Sequence, residues 1–201
     1  MPAGASLPHS RGLDWQLLYD DDFDRDRLGQ IWQGRSDVHW RSSEWKIVDG
    51  VVMPEDSWTA LAFARTIKPP VRIEYDVYSR TEGVRILGTM LCPQGLSTHR
   101  FWGKMDGYGY FLSLGWHDRL SNSIMRNDSE ILIDAQGMQL EKDRRYRIVA
   151  QFVPPFVELY VDGKQVLQYE DGNWLEGLDE LVLYSYPVHA FDNVRIYLAE
   201  Q

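Results

Sequence analysis

Four Asp-Gly dipeptides punctuate this chain, at Asp49-Gly50, Asp106-Gly107, Asp162-Gly163 and Asp171-Gly172. Two of them sit directly between short runs rich in Val, Ile, Leu and Tyr. Trp45-Lys46-Ile47-Val48 leads into the first and Val51-Val52-Met53 leaves it. Leu159-Tyr160-Val161 and Lys164-Gln165-Val166-Leu167 bracket the second. A two-residue hairpin turn of type I′ needs positive φ at both central positions, and Asp followed by Gly tolerates this best. Both sites are therefore predicted β-hairpins.

The same period of two recurs along the chain far more often than the helical 3.6. Val71, Ile73, Tyr75 and Val77 fall on one face of a strand, with Arg72, Glu74, Asp76 and Tyr78 on the other. Tyr110, Leu112, Leu114 and Trp116 share a face opposite Phe111, Ser113, Gly115 and His117. Segments 144–153, 156–161, 181–186 and 192–198 read the same way, and all are rich in residues that suit a pleated, half-buried surface. Helix candidates are short, at 26–32 and 174–178. About a dozen short strands imply an all-β, two-sheet antiparallel jelly-roll sandwich with few short helices. If one sheet curves, its free face becomes a concave groove suited to a ligand. Residues 1–12 read as a mobile tail and 13–201 as one domain, since no repeat or change of composition divides them.

Lysine plus arginine number 21 and aspartate plus glutamate 30, giving a net charge of −9. Such a chain is a poor partner for nucleic acid or an anionic membrane, which need a positive field. The longest apolar stretch, 148–161, is broken by Gln151, Pro154, Pro155 and Glu158 and cannot span a bilayer. Cys92 is the single cysteine, so neither an intrachain disulfide nor a cysteine metal cluster can form. The first residues show no basic segment followed by an apolar one. The expected location is cytoplasmic, although a cleaved leader directing the chain to the periplasm or outside would leave the same picture. The composition includes 8 Trp, 11 Tyr and 7 Phe, 13% of the chain, and a sandwich core need not absorb all of them.

Several segments carry a family resemblance. They are Leu17-Leu18-Tyr19-Asp20-Asp21-Asp22-Phe23, the Trp45–Val52 hairpin, Tyr146-Arg147-Ile148-Val149, Val157-Glu158-Leu159-Tyr160-Val161-Asp162-Gly163 and Phe191-Asp192-Asn193-Val194-Arg195-Ile196. In this order they resemble the concanavalin A-like lectin/glucanase superfamily. The middle of the chain adds Ala60-Leu61-Ala62-Phe63-Ala64-Arg65, Gly109-Tyr110-Phe111-Leu112-Ser113-Leu114 and Ser123-Ile124-Met125-Arg126-Asn127. It is similar to small bacterial domains of unassigned function found among polysaccharide-utilisation genes, and more distantly to keto-disaccharide hydrolase-like domains. The resemblance implies a jelly roll with a carbohydrate-binding concave face.

A sugar offers C–H faces to flat aromatic rings and hydroxyls to planar polar groups. Segment 97–130 is dense in both, with His99, Arg100, Trp102, Lys104, Tyr108, Trp116, His117, Arg119, Arg126, Asn127 and Glu130. Trp40 and Trp58 lie in loop-like stretches and extend the set. Tyr75, Tyr110 and Trp116 share faces with Leu and Val and are expected in the core instead. Glu74 and Asp76, two apart, project from one strand face, where paired carboxylates divide acid and base roles in glycosidases. The resemblance implies a Glu-x-Asp-x-x-Glu strand in glucanases; here Ser79 stands where the second Glu would be, which removes the acid. Asp22, Asp24 and Asp26 have EF-hand spacing, but Arg27 and Gln33 break that motif. Sandwiches of the superfamily often hold a structural calcium, for which Asp22 and Asp192 are the candidate ligands; no other cofactor is indicated. The histidines lack zinc-ligand spacing, and no nucleophile motif accompanies His117-Asp118.

The leading expectation is a domain that binds an oligosaccharide in the groove through Trp40, Trp58, His99, Arg100, Trp102, Tyr108, His117, Arg126 and Asn127. One alternative is a glycoside hydrolase or lyase using Glu74 and Asp76. Another is a structural or protein-binding sandwich. The sequence does not specify the oligomeric state.

Overall fold

The computed structural model describes residues 12–36, 44–55, 59–80, 86–93, 109–115, 121–127, 130–138, 140–186 and 188–200, except for the side chains of Arg35 and Ser36. The strands are β1 Trp15–Asp21, β2 Trp32–Ser36, β3 Trp45–Val48, β4 Val51–Pro54, β5 Thr59–Phe63, β6 Val71–Ser79, β7 Ile86–Cys92 and β8 Tyr110–Gly115. They continue as β9 Ser121–Arg126, β10 Glu130–Gln136, β11 Arg145–Val153, β12 Phe156–Val161, β13 Lys164–Glu170, β14 Glu180–Tyr186 and β15 His189–Ala199. Sheet A runs β13-β12-β11-β6-β15-β4-β3, with β1 also paired to β15, and sheet B runs β10-β9-β8-β7-β14-β5-β2. Strand β1 pairs with β15 from Val194 to Ala199, whereas β4 meets it at Phe191 opposite Val52.

Both predicted hairpins form. Asp49 and Gly50 have φ of 53° and 73°, and Asp162 and Gly163 have 49° and 79°, the double positive φ of a type I′ turn. Val48 pairs Val51, and Val161 pairs Lys164, directly across the turns. The two short helices do not form, and among the described residues there is no helix at all. In the first segment Gly29 takes φ of 78° and Trp32 opens β2; in the second Gly177 takes φ of 74°. Positive φ interrupts a right-handed helix, and neither segment is long enough to absorb the break.

The alternation places the core as expected. Val71, Ile73, Tyr75 and Val77 of β6 face Leu87 and Leu91 of β7 and Leu112 and Leu114 of β8 between the sheets, all buried in one apolar cluster. Tyr75 and Tyr110 both lie in this core, while Trp116 falls outside the described residues. The Tyr75 hydroxyl lies 2.9 Å from Thr89 Oγ1 across the sandwich. This contact gives a deeply buried phenol the partner it needs. Burial raises the Tyr75 pKa above its ordinary value despite that bond. Because the inward residues fill the sandwich, each sheet is left with one outer face on which chemistry can be displayed.

Candidate functional site

The outer face of sheet A carries Glu74 and Asp76. Asp192 lies opposite Asp76 on β15, and Arg147 lies opposite it on β11. Glu74 pairs with Arg147 at 2.7 Å and Arg72 at 2.8 Å. Asp76 is 2% exposed; it accepts from Arg145, from Arg147 at 3.4 Å and from Asn193 Nδ2 at 3.0 Å. Both carboxylates are thus tied into a lattice that spans β11, β6 and β15. A buried carboxylate needs such partners to offset its desolvation.

Arg126 and Asn127 belong to the other sheet, so the structure does not gather them with Glu74 and Asp76 on one face. Arg126 leaves the core-facing side of β9, two residues after the buried Ile124. Its Nη1 donates to both oxygens of Asp171 at 2.7 Å, while Nε and Nη2 form a fork on Glu130 at 2.9 and 2.7 Å. Asp171 also accepts the Tyr110 hydroxyl at 2.6 Å and the Asn173 amide at 2.8 Å. Burial alone would raise the Asp171 pKa, but these donors together hold it below the ordinary value. Asn127 has φ of 46° and donates its amide to the Gly109 carbonyl at 3.1 Å. Asn tolerates that left-handed conformation, so its place at the end of β9 has a backbone reason.

The outer face of sheet B is the feature that sequence reading missed. Registers across six strands align Gln33, Ala62, Val182, Met90, Phe111 and Met125 in one row. The next row holds Ala60, Tyr184, Gly88, Ser113 and Ser123. Ala60, Ala62, Ile86, Met90, Cys92, Phe111, Met125, Val182 and Tyr184 form a second buried cluster, separate from the sandwich core. At its centre the Phe111 ring occupies the space a side chain at position 88 would take; a Cβ there would lie 2.0 Å from Phe111 Cε2. Only glycine permits this overlay. Tyr184 meets Phe111 edge to face at 5.9 Å and 86°, a favourable aromatic geometry. The Ser113 and Ser123 hydroxyls pair at 2.9 Å, and the buried carboxylate of Glu180 lies opposite Cys92 at one end of the face. The signal for this arrangement was present in Phe111, Ser113 and Gly115 alternating against Leu112 and Leu114. Nothing in that pattern indicates which outer face would carry a buried apolar surface.

Among the candidate site residues, Trp40, Trp58, His99, Arg100, Trp102, Tyr108 and His117 lie outside the described residues. In the chain, 94–108 shortly precedes β8 and 116–120 directly follows it, and β8 is the strand that carries Phe111 and Ser113.

The acidic run at 20–26 folds around Asp21, which is buried. It accepts from Tyr19 Oη at 2.7 Å, Trp32 Nε1 at 2.9 Å, the Phe23 amide at 2.9 Å and Arg25. Asp22 is exposed and accepts the Asp24 amide at 3.1 Å. Burial raises the Asp192 pKa, and the nearby charges of Asp76 and Asp22 add to the effect. The Asp192 oxygens accept from the Asn193 amide and Nδ2 at 2.7 and 2.8 Å. Calcium takes six to eight oxygens. Among the described residues no group of three or more Asp, Glu, His or Cys is placed to hold a metal ion.

The sequence matches no protein-family model and no curated protein. Its backbone does match solved structures. The endo-β-1,3-glucanase of Pyrococcus furiosus superposes with a TM-score of 0.68 at 13% identity, covering 95% of this chain and 97% of that one. A Bacillus subtilis protein of unknown function with a galectin-like fold gives 0.67 at 10% identity, covering 94% and 99%. The carbohydrate recognition domain of Emp47p gives 0.63 at 8% identity, covering 90% and 96%. The fold is a concanavalin A-like jelly roll. At these identities the likeness establishes the jelly roll and the two-sheet order, whereas function has to be argued from the side chains.

Proposed function

We propose that this jelly roll binds an oligosaccharide or polysaccharide fragment over the outer face of sheet B. The observation that carries the reading is the Phe111 ring seated over Gly88 and braced edge-on by Tyr184, beside paired serine hydroxyls and the Glu180 carboxylate. These groups are buried, so they support the ligand-contacting side chains from beneath and do not touch the sugar themselves. On this reading the contacting rings and charged groups would come from His99, Arg100, Trp102, Tyr108, His117, Trp40 and Trp58, which lie outside the described residues. A carbohydrate recognition domain and a β-glucanase among the structural neighbours support carbohydrate as the ligand class. Glu74 and Asp76 are assigned to holding β6, β11 and β15 together. Arg126 is assigned to anchoring Asp171 beneath the same end of sheet B.

Calorimetry with a panel of neutral and acidic oligosaccharides, β-1,3-gluco-oligosaccharides among them, tests the proposal. At least one should bind at millimolar concentration or better. Gly88→Ala, which forces the Phe111 ring aside, should weaken that binding about tenfold, roughly the loss of one well-made contact. Absence of binding across the panel, or unchanged affinity in a folded Gly88→Ala protein, would remove sheet B as the site.

A further inference from the structure

Three of the four Asp-Gly pairs lie among the described residues, and their carboxylates differ in what holds them; Asp106-Gly107 lies outside. Asp171 is buried and accepts from the Tyr110 hydroxyl, from Arg126 and from the Asn173 amide. Asp162 is exposed, yet its Oδ1 accepts the Arg147 amide at 2.9 Å and its Oδ2 lies 3.5 Å from Arg144. Asp49 is exposed, and its carboxylate has no hydrogen bond or ion pair among the described residues. The next residue is equally accessible. The two-residue turn closes through Val48 and Val51, which leaves the Gly50 amide outside the ladder. A Cβ built on Gly50 would meet nothing within 4 Å, so the space around the turn is open.

We propose that Asp49-Gly50 is a modification site, where the native chain converts aspartate to isoaspartate through a cyclic imide. The Gly50 nitrogen attacks Asp49 Cγ. An N–Cγ bond forms, a Cγ–O bond breaks, and the amide hydrogen leaves with the hydroxyl of the protonated carboxyl as water. Water then adds across either C–N bond of the ring. Cleavage at Cγ restores aspartate, whereas cleavage at the Asp49 main-chain carbonyl leaves Gly50 joined through the side chain. Glycine has no Cβ to crowd the attacking nitrogen. Ring closure requires rotation about the Asp49 Cα–C bond, so the turn has to open. Strand β3 has four residues with only β4 beside it, and β4 meets β15 only at Phe191. Local opening is easiest where few backbone bonds must break. The Asp162 turn is the opposite case, because β12 is paired along its length on both sides. Isoaspartate lengthens the main chain of the turn by one carbon, so Val48 and Val51 no longer face each other and β3 loses its register. Trp45, buried on β3 with its ring centre 5.9 Å from that of Phe191, loses its fixed seat with it. The inference does not depend on the proposed ligand.

Ageing the full chain in heavy-oxygen water tests it, because each passage through the ring places one solvent oxygen in the product carboxyl. After weeks at neutral pH and body temperature, the chain is digested in ordinary water and its peptides are read by mass spectrometry. Electron-transfer fragmentation separates isoaspartate from aspartate. Glycine follows all three aspartates, so an unfolded chain would label them alike and unequal labelling reads the native fold. The Asp49 peptide should carry at least about tenfold more label than the Asp162 or Asp171 peptide, the effect of one hydrogen bond to a charged group. Isoaspartate should accumulate in the same peptide. Asp49→Glu, whose longer side chain disfavours the ring, should abolish labelling at that position. Equal label at the three pairs, no label at Asp49, or undiminished label in Asp49→Glu would overturn the proposal. In the isoaspartate fraction, separated by ion exchange, amide hydrogens of β3 and β4 should exchange at least about tenfold faster than in fresh protein. Unchanged exchange would overturn the stated effect on β3.

Discussion

Removing the imidazole at position 189 should alter how stability depends on pH, and the structure sets the size of the effect. His189 is fully buried at the start of β15, opposite Ser79. Its backbone amide donates to Ser185 Oγ at 3.0 Å, and the same hydroxyl lies 3.1 Å from Nδ1. The Ser185 hydroxyl can pair with Nδ1 in either tautomer of the neutral ring, as donor or as acceptor. Nε2 is buried without a partner among the described residues. Burial pushes the pKa down from 6.5 to about 3. Above the unfolded value neither state binds the proton, and the native protein has its full stability. As the pH falls from 6.5 towards 3, the unfolded chain takes up a proton that the native state refuses, so stability declines throughout that window. The slope is about 1.4 kcal/mol per pH unit, or roughly 2.7 kcal/mol lost by about pH 4.5. His189→Leu removes this single titration. Urea unfolding, followed by tryptophan fluorescence at several pH values, should show the variant gaining about 2.3 kcal/mol on wild type between pH 6.5 and pH 4.5. Taking the difference cancels the other histidines. Parallel stability curves for the two proteins would refute the reasoning, as would an imidazole signal of native His189 that titrates near 6.

Asp171→Asn should destabilise by about 3 kcal/mol, because it removes the anion to which the buried end of Arg126 and the Tyr110 hydroxyl are matched. The Asp171 pKa is depressed, so this stabilisation is present above the ordinary carboxylate range and is lost on acidification; the gap between variant and wild type should close as the pH falls below about 3.8. A gap that is constant down to strong acid, measured by denaturant unfolding, would count against the ion pair. Thr59 Oγ1 is likewise buried with no partner among the described residues, so Thr59→Val should raise stability by about 1 kcal/mol by removing a stranded hydroxyl. A lower Tm for that variant would show that the hydroxyl has a partner.

Much of the fold was legible because sheet formation is governed by local patterns. Val71, Ile73, Tyr75 and Val77 alternate against polar neighbours, and a strand so patterned has only one face it can bury. Asp49-Gly50 and Asp162-Gly163 fixed two hairpins through backbone conformation alone. The short helices failed for a complementary reason: spacing suggested them, but glycines at positive φ and pairing of Trp32 into β2 prevailed. At the site, the sequence singled out the right kinds of residue without their relations. Glu74 and Asp76 read as candidate catalytic carboxylates, and Arg126 and Asn127 as sugar-contacting candidates. Arg145 and Arg147, which engage the first two, come from β11, which meets β6 only in the folded sheet. Asp171, which claims Arg126, is 45 residues away in the chain.

The sequence by itself therefore determined the strand periodicity, two of the turns and the inward residues. Each of these depends on neighbours along the chain. Tertiary structure alone decided that Phe111 would cover Gly88, that Asp76 would be bound by Arg145 and Arg147, and that Asp171 would claim Arg126. Each of these depends on strand order and register, which bring together side chains from different strands at distances of a few ångströms, and no local pattern encodes that order.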